Sequence, residues 1–296
     1  MKSRLNVRVS QDTLAPFRQN VLRRGRELYR DLPWRRTRDP YEIWISEVML
    51  QQTQVSRVDG RWQRWLERFP TIDALAMAQT ADVLDEWQGM GYNRRALSLL
   101  KAAQTVSSGG GQMPSELADL VALPGIGPAT AAGIRAFAFN LPGIYLETNV
   151  RTVLLHELYP DVAQVPDREL LPIVEATCPQ DASDPRDDPR TWYYALLDYG
   201  AHLKRTVPNP SRRSKTHVRQ SKFEGSHRQK RAMVVRALLA HRGDVDGATP
   251  EELAGEVSRE EARAGRPPVT EAVVMGLLEE LAQEGFCHRE GDLWSV

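Results

Sequence analysis

Residues 123–133 read LPGIGPATAAG, and this short stretch decides the fold. The two glycines of Leu-Pro-Gly-Ile-Gly stand between two helical segments and indicate a tight hairpin with exposed backbone N–H groups. Those donors, together with the start of the next helix, can hold a phosphate. Small residues follow, among them Ala129 and Gly133, and they allow two helices to pack closely. An ordinary linker between helices is the alternative interpretation.

The chain on both sides of this hairpin is predicted to be helical. Asp39 caps a helix that starts at Pro40 and contains Glu47. No long alternating run indicates a sheet before residue 285, so the predicted fold class is all-α. The other helical patterns lie near residues 11–30, 58–69, 81–88, 93–106, 116–121, 128–139, 148–158, 167–177 and 189–204.

The last seventy residues indicate a separate, winged-helix-like module. Thr249-Pro250-Glu251-Glu252 is a capping box with proline at the first helical position. Thr270 can cap a further helix that Gly285 ends, and FCHREGDLWSV (286–296) is typical of a β-hairpin with Gly291-Asp292 in its turn. The last helix carries glutamates and no basic residue, which favours packing or partner binding over insertion into a DNA groove.

Composition limits the class of protein. The chain has 296 residues, 41% of them hydrophobic, and a formal net charge of zero. No stretch approaches the roughly 18 apolar residues of a membrane span, and the N-terminus lacks the apolar core of a signal peptide. The two cysteines, Cys178 and Cys287, are far apart in sequence. These features predict a reduced, cytoplasmic protein without a membrane partner.

The neutral total conceals a basic segment followed by an acidic one. Residues 204–231 contain ten Lys or Arg and one acid, whereas residues 243–296 contain thirteen acids and four Arg. A solvated loop is one interpretation of the basic segment. The other is phosphate contact, for which Arg212 and Arg213 are the candidate residues.

The stretch SEVMLQQTQV, residues 46–55, places one carboxylate among apolar residues and follows it with three glutamines. An apolar helix face raises the pKa of a carboxyl group, so Glu47 can keep a proton near neutral pH. Hydrolysis of an N-glycosidic bond needs such an acid, and a second carboxylate that stabilises the cationic sugar. Glu147 is the candidate for the second role, with a helix-capping carboxylate as the alternative.

Five stretches resemble the helix-hairpin-helix DNA glycosylases, in the same order and spacing. The most similar branch is the MutY-type adenine glycosylases, and the similarity covers roughly residues 30–205. The stretches are LPWRRTRDPYEIWISEVMLQQTQV, WQGMGYNRRA, ALPGIGPATAAGI, LETNVRTVL and WYYALLDYGA. The resemblance implies a two-module helical glycosylase fold, with modules at 32–142 and at 1–31 plus 143–222, before the C-terminal module at 223–296.

The resemblance also implies the site residues. Glu47 matches the catalytic acid of the family, and Glu147 occupies the place where the family usually has aspartate. A target base must leave the duplex before excision, and an amide such as Gln51 or Gln52 can bond the orphaned partner base. The implied DNA-binding residues are Gln51, Gln52, Tyr92, Asn93, Arg94, Leu123, Gly125, Gly127, Ala129, Thr130 and Asn149.

The sequence departs from the family at several positions. Ala129 stands where bifunctional relatives resembling endonuclease III have a Schiff-base lysine, so strand cleavage is not expected. Asn93 replaces a tyrosine. The four iron–sulfur cysteine positions fall on Lys204, Ser211, Ser214 and Gln220, so no 4Fe-4S cofactor is expected. The hairpin could hold a monovalent or divalent cation.

The predicted function is that of a monofunctional DNA glycosylase of base excision repair. Its predicted substrate is adenine mispaired with 8-oxoguanine or guanine in double-stranded DNA, and the expected form is a cytoplasmic, nucleoid-associated monomer. One alternative is a glycosylase for a G·T or G·U mismatch or a damaged pyrimidine. Another is a DNA-binding relative that has lost catalysis, an interpretation that the aspartate-to-glutamate change at residue 147 favours somewhat.

Overall fold

The computed structural model describes residues 11–216, 221–243 and 247–296 of the chain. The described residues are mainly helical, which confirms the all-α fold class. The helices are α1 Gln11–Glu27, α2 Pro40–Leu50, α3 Val55–Val58, α4 Arg61–Arg68, α5 Ile72–Ala76, α6 Thr80–Glu86, α7 Arg94–Ser108, α8 Leu117–Ala122, α9 Pro128–Phe139, α10 Thr148–Glu157, α11 Asp167–Thr177, α12 Pro189–Thr206, α13 His227–Ala240, α14 Pro250–Arg263 and α15 Glu271–Glu284.

Short 3-10 turns and one hairpin complete the described structure. The 3-10 turns are Pro33–Arg35 and Pro210–Arg213. The strands β1 His288–Glu290 and β2 Leu293–Ser295 pair antiparallel, with Glu290 opposite Leu293. The hairpin turn therefore consists of Gly291 and Asp292, as predicted from the sequence. Within these residues, no helix is long and apolar enough to cross a membrane.

The chain divides into two compact units. In described residues the first comprises 11–51 and 113–216, and the second comprises 52–112, 221–243 and 247–296. These boundaries differ from the three sequence modules at 32–142, 1–31 plus 143–222, and 223–296. The difference arises because α9 packs both on α2 and on α12, so the first unit takes helices from both sides of residue 142.

The first unit has one aromatic-rich core. Helices α1, α10 and α12 pack together, and α9 packs on both α2 and α12. Trp192 and Tyr193 are fully buried at the centre of this core, and Phe137 stacks on Tyr194 with ring centroids 4.4 Å apart. A buried ion pair lies at its edge, where Arg35 donates to both oxygens of Asp198 at 2.7 and 2.8 Å. The site described below is built on this unit.

The second unit contains two groups of helices. In one, α5 and α6 pack on α7, and Trp65 meets Trp87 edge-on at 5.5 Å. In the other, α13, α14 and α15 pack together with the hairpin over a core that includes Leu278, Phe286 and Trp294. The predicted capping box at Thr249 is present. Three helices followed by a hairpin match the winged-helix-like module that the sequence predicted.

Candidate active site

Helix α2 begins at a strong cap and carries Glu47 into an apolar setting. Asp39 Oδ1 accepts the N–H groups of Tyr41 at 2.8 Å and Glu42 at 3.1 Å, and Pro40 occupies the first helical position. Seven of the eleven residues of α2 are buried. Capping the first turn satisfies amides that a buried helix cannot leave unpaired, so the helix can carry apolar residues on most of its surface.

The carboxyl group of Glu47 lies against α9 and the segment that precedes α10. The hydroxyl of Tyr145 donates to Glu47 Oε2 with 3.0 Å between the oxygens. Gly133 of α9 leaves room for both groups. A Cβ at residue 133 would lie 2.8 Å from Tyr145 Cε2, 3.1 Å from Glu47 Cδ and closer still to Oε2. Any larger residue at position 133 would displace the acid.

Burial makes Glu47 a weak acid. Loss of solvation raises its pKa to about 8, against the hydrogen bond from Tyr145, which lowers it. The charge of Glu147 raises the pKa further and that of Arg35 lowers it. The Glu47 residue as a whole is only half-buried, so part of it stays accessible although its surroundings are apolar. At neutral pH this carboxyl group holds its proton and is able to donate it.

Glu147 has a different environment, at the N-cap of α10. Its Oε1 accepts the N–H of Asn149 at 2.5 Å and that of Val150 at 3.0 Å, and Oε2 lies 3.4 Å from Asn149 Nδ2. Burial raises the pKa of Glu147, while the charge of Lys204 and these hydrogen bonds lower it. Glu147 thus has the helix-capping role that the sequence left as an alternative. Its carboxyl group also lies close enough to Glu47 to act on it electrostatically.

Asn149 is held beside Glu147 by a close helix contact. A Cβ at Gly200 of α12 would overlap the backbone and Cβ of Asn149, so only glycine permits this approach. Asn149 Oδ1 is buried and has no hydrogen-bond partner among the described residues. A buried acceptor of this kind is a place for a water molecule or a ligand donor.

The predicted hairpin at residues 123–127 forms between α8 and α9. Gly125 has a positive φ of 77°, and both Gly125 and Gly127 are exposed, as phosphate contact requires. Leu123 is buried and anchors the turn, while Ala129 is half-buried in the first turn of α9. Their proposed contacts with DNA remain predictions.

Two of the predicted DNA-binding residues meet each other. Gln51, directly after α2, donates through Nε2 to Thr130 Oγ1 at 3.0 Å. This bond joins the end of the helix that carries Glu47 to the first turn of α9. Gln51 therefore has an orienting contact before any DNA is bound.

The remaining predicted residues of the second unit include two with unusual backbone. Gln52 and Tyr92 are exposed residues with positive φ values of 54° and 50°. Non-glycine residues in this region cost on the order of 1 kcal/mol, and such strain is common at functional sites. Arg95 supports the loop of Tyr92 by donating to the carbonyls of Met90 and Gly91 at 3.0 and 2.9 Å. Asn93 begins α7.

Two arginines predicted to bind DNA already have protein partners. Arg94 makes a bidentate ion pair with Glu284 of α15, at 2.6 and 2.5 Å. Arg213 donates to the carbonyls of Tyr159 and Pro160, and to that of Leu155 at 2.7 Å. The guanidinium of Arg213 satisfies carbonyls at and beyond the C-terminus of α10, and phosphate contact by this residue stays a prediction.

The basic segment is also less irregular than its composition indicates. Pro210, Ser211 and Ser214 are buried, and the backbone of Ser214 forms a β-bridge with Val165. Burial of these residues and the bridge therefore fix this part of the segment. Arg212 is exposed and remains the better candidate for phosphate contact. Arg219 lies outside the described residues.

The four cysteine positions of the resemblance do not suit an iron–sulfur cluster. Ser211 and Ser214 replace thiols there, Lys204 is half-buried on α12, and Gln220 lies outside the described residues. Cys178 and Cys287 are each buried and free. In the described part of the chain, no group of three His, Cys, Asp or Glu residues could hold a metal ion. The absence of a cofactor remains a prediction that rests on these residue types.

Comparison with known proteins defines the class. Residues 45–170 match the family model for the HhH-GPD superfamily of base excision DNA repair proteins. The matched residues include Glu47, the hairpin and Glu147, so this part of the chain is similar to that superfamily. Among curated relatives, the chain is 38% identical over 174 residues to the adenine DNA glycosylase of Mycolicibacterium smegmatis, covering 58% of each protein.

Other adenine DNA glycosylases match at similar levels. That of Buchnera aphidicola is 41% identical over 125 residues, which cover 42% of this chain and 36% of that protein. That of Rattus norvegicus is 38% identical over 148 residues, which cover 47% of this chain and 29% of that protein. This chain therefore spans about a third to three fifths of the length of these relatives.

Solved structures confirm the helix-hairpin-helix glycosylase fold. A thermostable thymine-DNA glycosylase superposes with a TM-score of 0.55 at 23% identity, covering 64% of this chain and 87% of that one. Endonuclease III in a non-covalent DNA complex superposes with a TM-score of 0.53 at 18% identity, covering 67% and 87%. At these identities the likeness establishes the fold alone.

Sequence reasoning missed three residues that shape the site. Tyr145 and Lys204 act on Glu47 and Glu147 from elsewhere in the chain, and Gly133 leaves the space for the acid. Gly133 was noted as a small residue, but nothing local related it to Glu47. The tyrosine in Tyr145-Leu146-Glu147 was the available signal, because alternation places residues 145 and 147 on one side of an extended segment.

The raised pKa of Glu47 gives a stability prediction. The folded protein holds this proton up to about pH 8, whereas an unfolded glutamate releases it near pH 4.5. The wild-type free energy of unfolding should therefore fall as pH rises between these values. Glu47→Gln cannot ionise and should escape this loss. We expect the variant to gain a few kcal/mol relative to wild type between about pH 4 and pH 9, measured by urea denaturation.

Glu175→Gln is the matched control, because Glu175 is an exposed carboxylate on α11 of the same unit. Its stability difference from wild type should not change with pH. Parallel pH–stability curves for wild type and Glu47→Gln would contradict the raised pKa.

Proposed function

We propose that this protein is a monofunctional DNA glycosylase that excises adenine mispaired with 8-oxoguanine or guanine. The observation that carries the proposal is the half-buried carboxyl group of Glu47, whose pKa is raised by burial, beside a second carboxyl group at the N-terminus of α10. The adenine DNA glycosylases with which the chain shares 38% to 41% identity support the choice of base. The proposed partner is double-stranded DNA, bound by a monomer in the cytoplasm.

The proposed reaction uses the two carboxyl groups differently. The target base leaves the stack, and Glu47 donates its proton to a ring nitrogen of the base. The N-glycosidic bond then breaks with its electron pair going to the base, and positive charge develops on the sugar. Ionised Glu147 offsets that charge until a water oxygen bonds to the anomeric carbon and releases a proton. Ala129 offers no amine, so the sugar–phosphate backbone stays intact.

The bonds at Glu147 bear directly on this role. Burial raises the pKa of Glu147 overall, and the charge of Lys204 and the amides of Asn149 and Val150 act in the opposite direction, toward the ionised form that this role needs. They also fix the carboxylate, so its position does not depend on a long, free side chain. The additional methylene relative to aspartate is accommodated by folding the side chain back onto its own helix.

The first test of the proposed function is a panel of duplexes that contain A·8-oxoG, A·G, G·T, G·U or a hypoxanthine pair. Wild-type protein should release adenine in single-turnover reactions, and strand breaks should appear only after alkali. Glu47→Gln should lower the rate by about 10²- to 10⁴-fold, because the amide cannot donate the proton, with duplex binding retained.

Three results would contradict the proposed function. Release of thymine or uracil would identify the pyrimidine alternative, and no release from any duplex would identify an inactive DNA-binding relative. Strand breaks without alkali would exclude a monofunctional enzyme. Glu175→Gln, with its exposed carboxylate, should behave as wild type.

A second test separates the charge of Glu147 from its cap. Glu147→Gln keeps an oxygen that can accept the Asn149 and Val150 amides, so the free energy of unfolding should change little. Glu147→Ala loses the cap and should cost about 0.5–2 kcal/mol. Both variants should excise more slowly, on the order of 10²-fold, because neither offsets charge on the sugar. A wild-type rate for Glu147→Gln would leave capping as the only role of this residue.

A third test concerns phosphate contact by the basic segment. The binding constant for a duplex falls as salt concentration rises, and the slope of its logarithm against the logarithm of salt concentration reports the number of phosphate contacts. Arg212→Ala should reduce the magnitude of this slope by about one unit, because the exposed Arg212 can contact the DNA backbone. Arg213→Ala should instead lower stability, since its guanidinium bonds three carbonyls. Arg186→Ala, in which an exposed arginine already paired with Asp184 is removed, is the control. Equal slopes for Arg212→Ala and wild type would show that Arg212 makes no phosphate contact and belongs to a solvated loop.

A further inference from the structure

Among the described residues, Tyr145 donates a hydrogen bond to the carboxyl group of Glu47, and no sequence motif pointed to it. Its hydroxyl lies 3.0 Å from Glu47 Oε2, and its side chain is buried with 7% exposure. The two residues are 98 positions apart in sequence. Tyr145 belongs to the segment between α9 and α10, two residues before Glu147.

We propose that Tyr145 is a positioning residue that determines which oxygen of Glu47 carries the transferable proton. The proposal rests on the proposed function, in which Glu47 is the acid. A protonated carboxyl group has one accepting oxygen and one hydroxyl oxygen. The phenol donates to Oε2, so Oε2 is the accepting oxygen and the proton resides on Oε1.

The contact with α9 supports the same assignment. Oε2 is the carboxyl oxygen that Gly133 faces, in the space that a Cβ would fill. Oε2 thus lies on the protein side, against α9 and Tyr145. Oε1 is the oxygen left to face a base. Without the phenol the two oxygens would be interchangeable, and the proton would spend time on the wrong one.

Tyr145 is held rigidly enough for this role. Its ring packs edge-on against Phe137 at 5.4 Å and against Tyr193 at 5.3 Å. Its backbone N–H donates to the hydroxyl of Tyr193 at 3.3 Å, and that hydroxyl donates to the carbonyl of Gly143. Contacts on the ring and the backbone together fix the direction of the phenol.

The phenol also has a role after proton transfer. Glu47 becomes a carboxylate in a poorly solvated place, and a hydrogen bond to an ionised acceptor is stronger than one to a neutral group. Tyr145 keeps its own proton, because burial and the nearby charges of Glu47 and Glu147 raise its pKa well above the usual value. The same donor therefore orients the acid and stabilises its conjugate base.

Other charged or titratable groups also act on Glu47. These are Glu147 at the start of α10, Arg35 in the turn before α2, and Tyr194 of α12. All three remain when the Tyr145 hydroxyl is removed. Tyr145→Phe keeps the aromatic ring and its packing, so this substitution isolates the hydrogen bond.

The experiment measures single-turnover excision from about pH 5 to pH 9.5 with wild type and Tyr145→Phe. The rate depends on protonated Glu47, so it falls as pH rises through the pKa of about 8. Loss of the phenol should reduce the plateau rate about tenfold to a hundredfold, because orientation and stabilisation are both lost. The alkaline limb of the profile is the pH range in which the excision rate falls. Loss of the phenol should also move this limb to higher pH, because the Tyr145 bond lowers the pKa of Glu47.

Tyr199→Phe is the matched control. Tyr199 is a buried tyrosine of the same unit whose hydroxyl donates to a different carboxylate, Glu157. Its removal should leave the alkaline limb unchanged. Two results for Tyr145→Phe would overturn the proposal while leaving the proposed function in place. One is a lower plateau rate with the alkaline limb at the wild-type pH, and the other is no change in either quantity.

A second readout needs no excision. The stability difference between Glu47 and Glu47→Gln proteins, followed against pH by urea denaturation, reports the pKa of Glu47 in the folded state. In the Tyr145→Phe background, the pH at which this difference levels off should move upward. If wild type excises no base, the proposed function fails, and an unmoved levelling point in this assay would separately overturn the role of Tyr145.

Discussion

The desolvated carboxyl group of Glu47 is the constraint on which the site in the first unit depends. A charged carboxylate in this apolar helix would be costly, so the group holds its proton, and its neighbours must tolerate both the acid and its conjugate base. Gly133 supplies the space, Tyr145 the hydrogen bond and Arg35 a compensating charge.

Two carboxyl groups within one helical unit acquire different properties from their surroundings. Glu47 has one phenol as donor, whereas Glu147 has two backbone amides, an amide side chain and the charge of Lys204. The first environment favours a neutral acid, and the second opposes the effect of burial. Burial raises the pKa of both groups, and Glu147 has more partners that favour its ionised form, which suits the two groups to divided acid and electrostatic roles. Residue 147 also shows that catalytic and structural interpretations of a carboxylate need not exclude each other.

Local features of this protein could be predicted from sequence, and long-range ones could not. The Asp39 cap, the capping box at Thr249 and the turn at Gly291 each depend on a few adjacent residues, and all three were found as expected. The Tyr145–Glu47 bond depends on chain segments that meet only after α2 has packed on α9. The protein partners of Arg94 and Arg213 could not be predicted for a similar reason, because they lie far away in sequence.

The proton on Glu47 has a thermodynamic consequence for the molecule as a whole. An unfolded chain near pH 7 has given up this proton, and the folded chain holds it, so folding takes up a proton from the solution. The buffer must supply that proton. The heat of folding therefore includes the ionisation heat of the buffer, and calorimetry in two buffers of unequal ionisation enthalpy would yield different apparent values for the same native state.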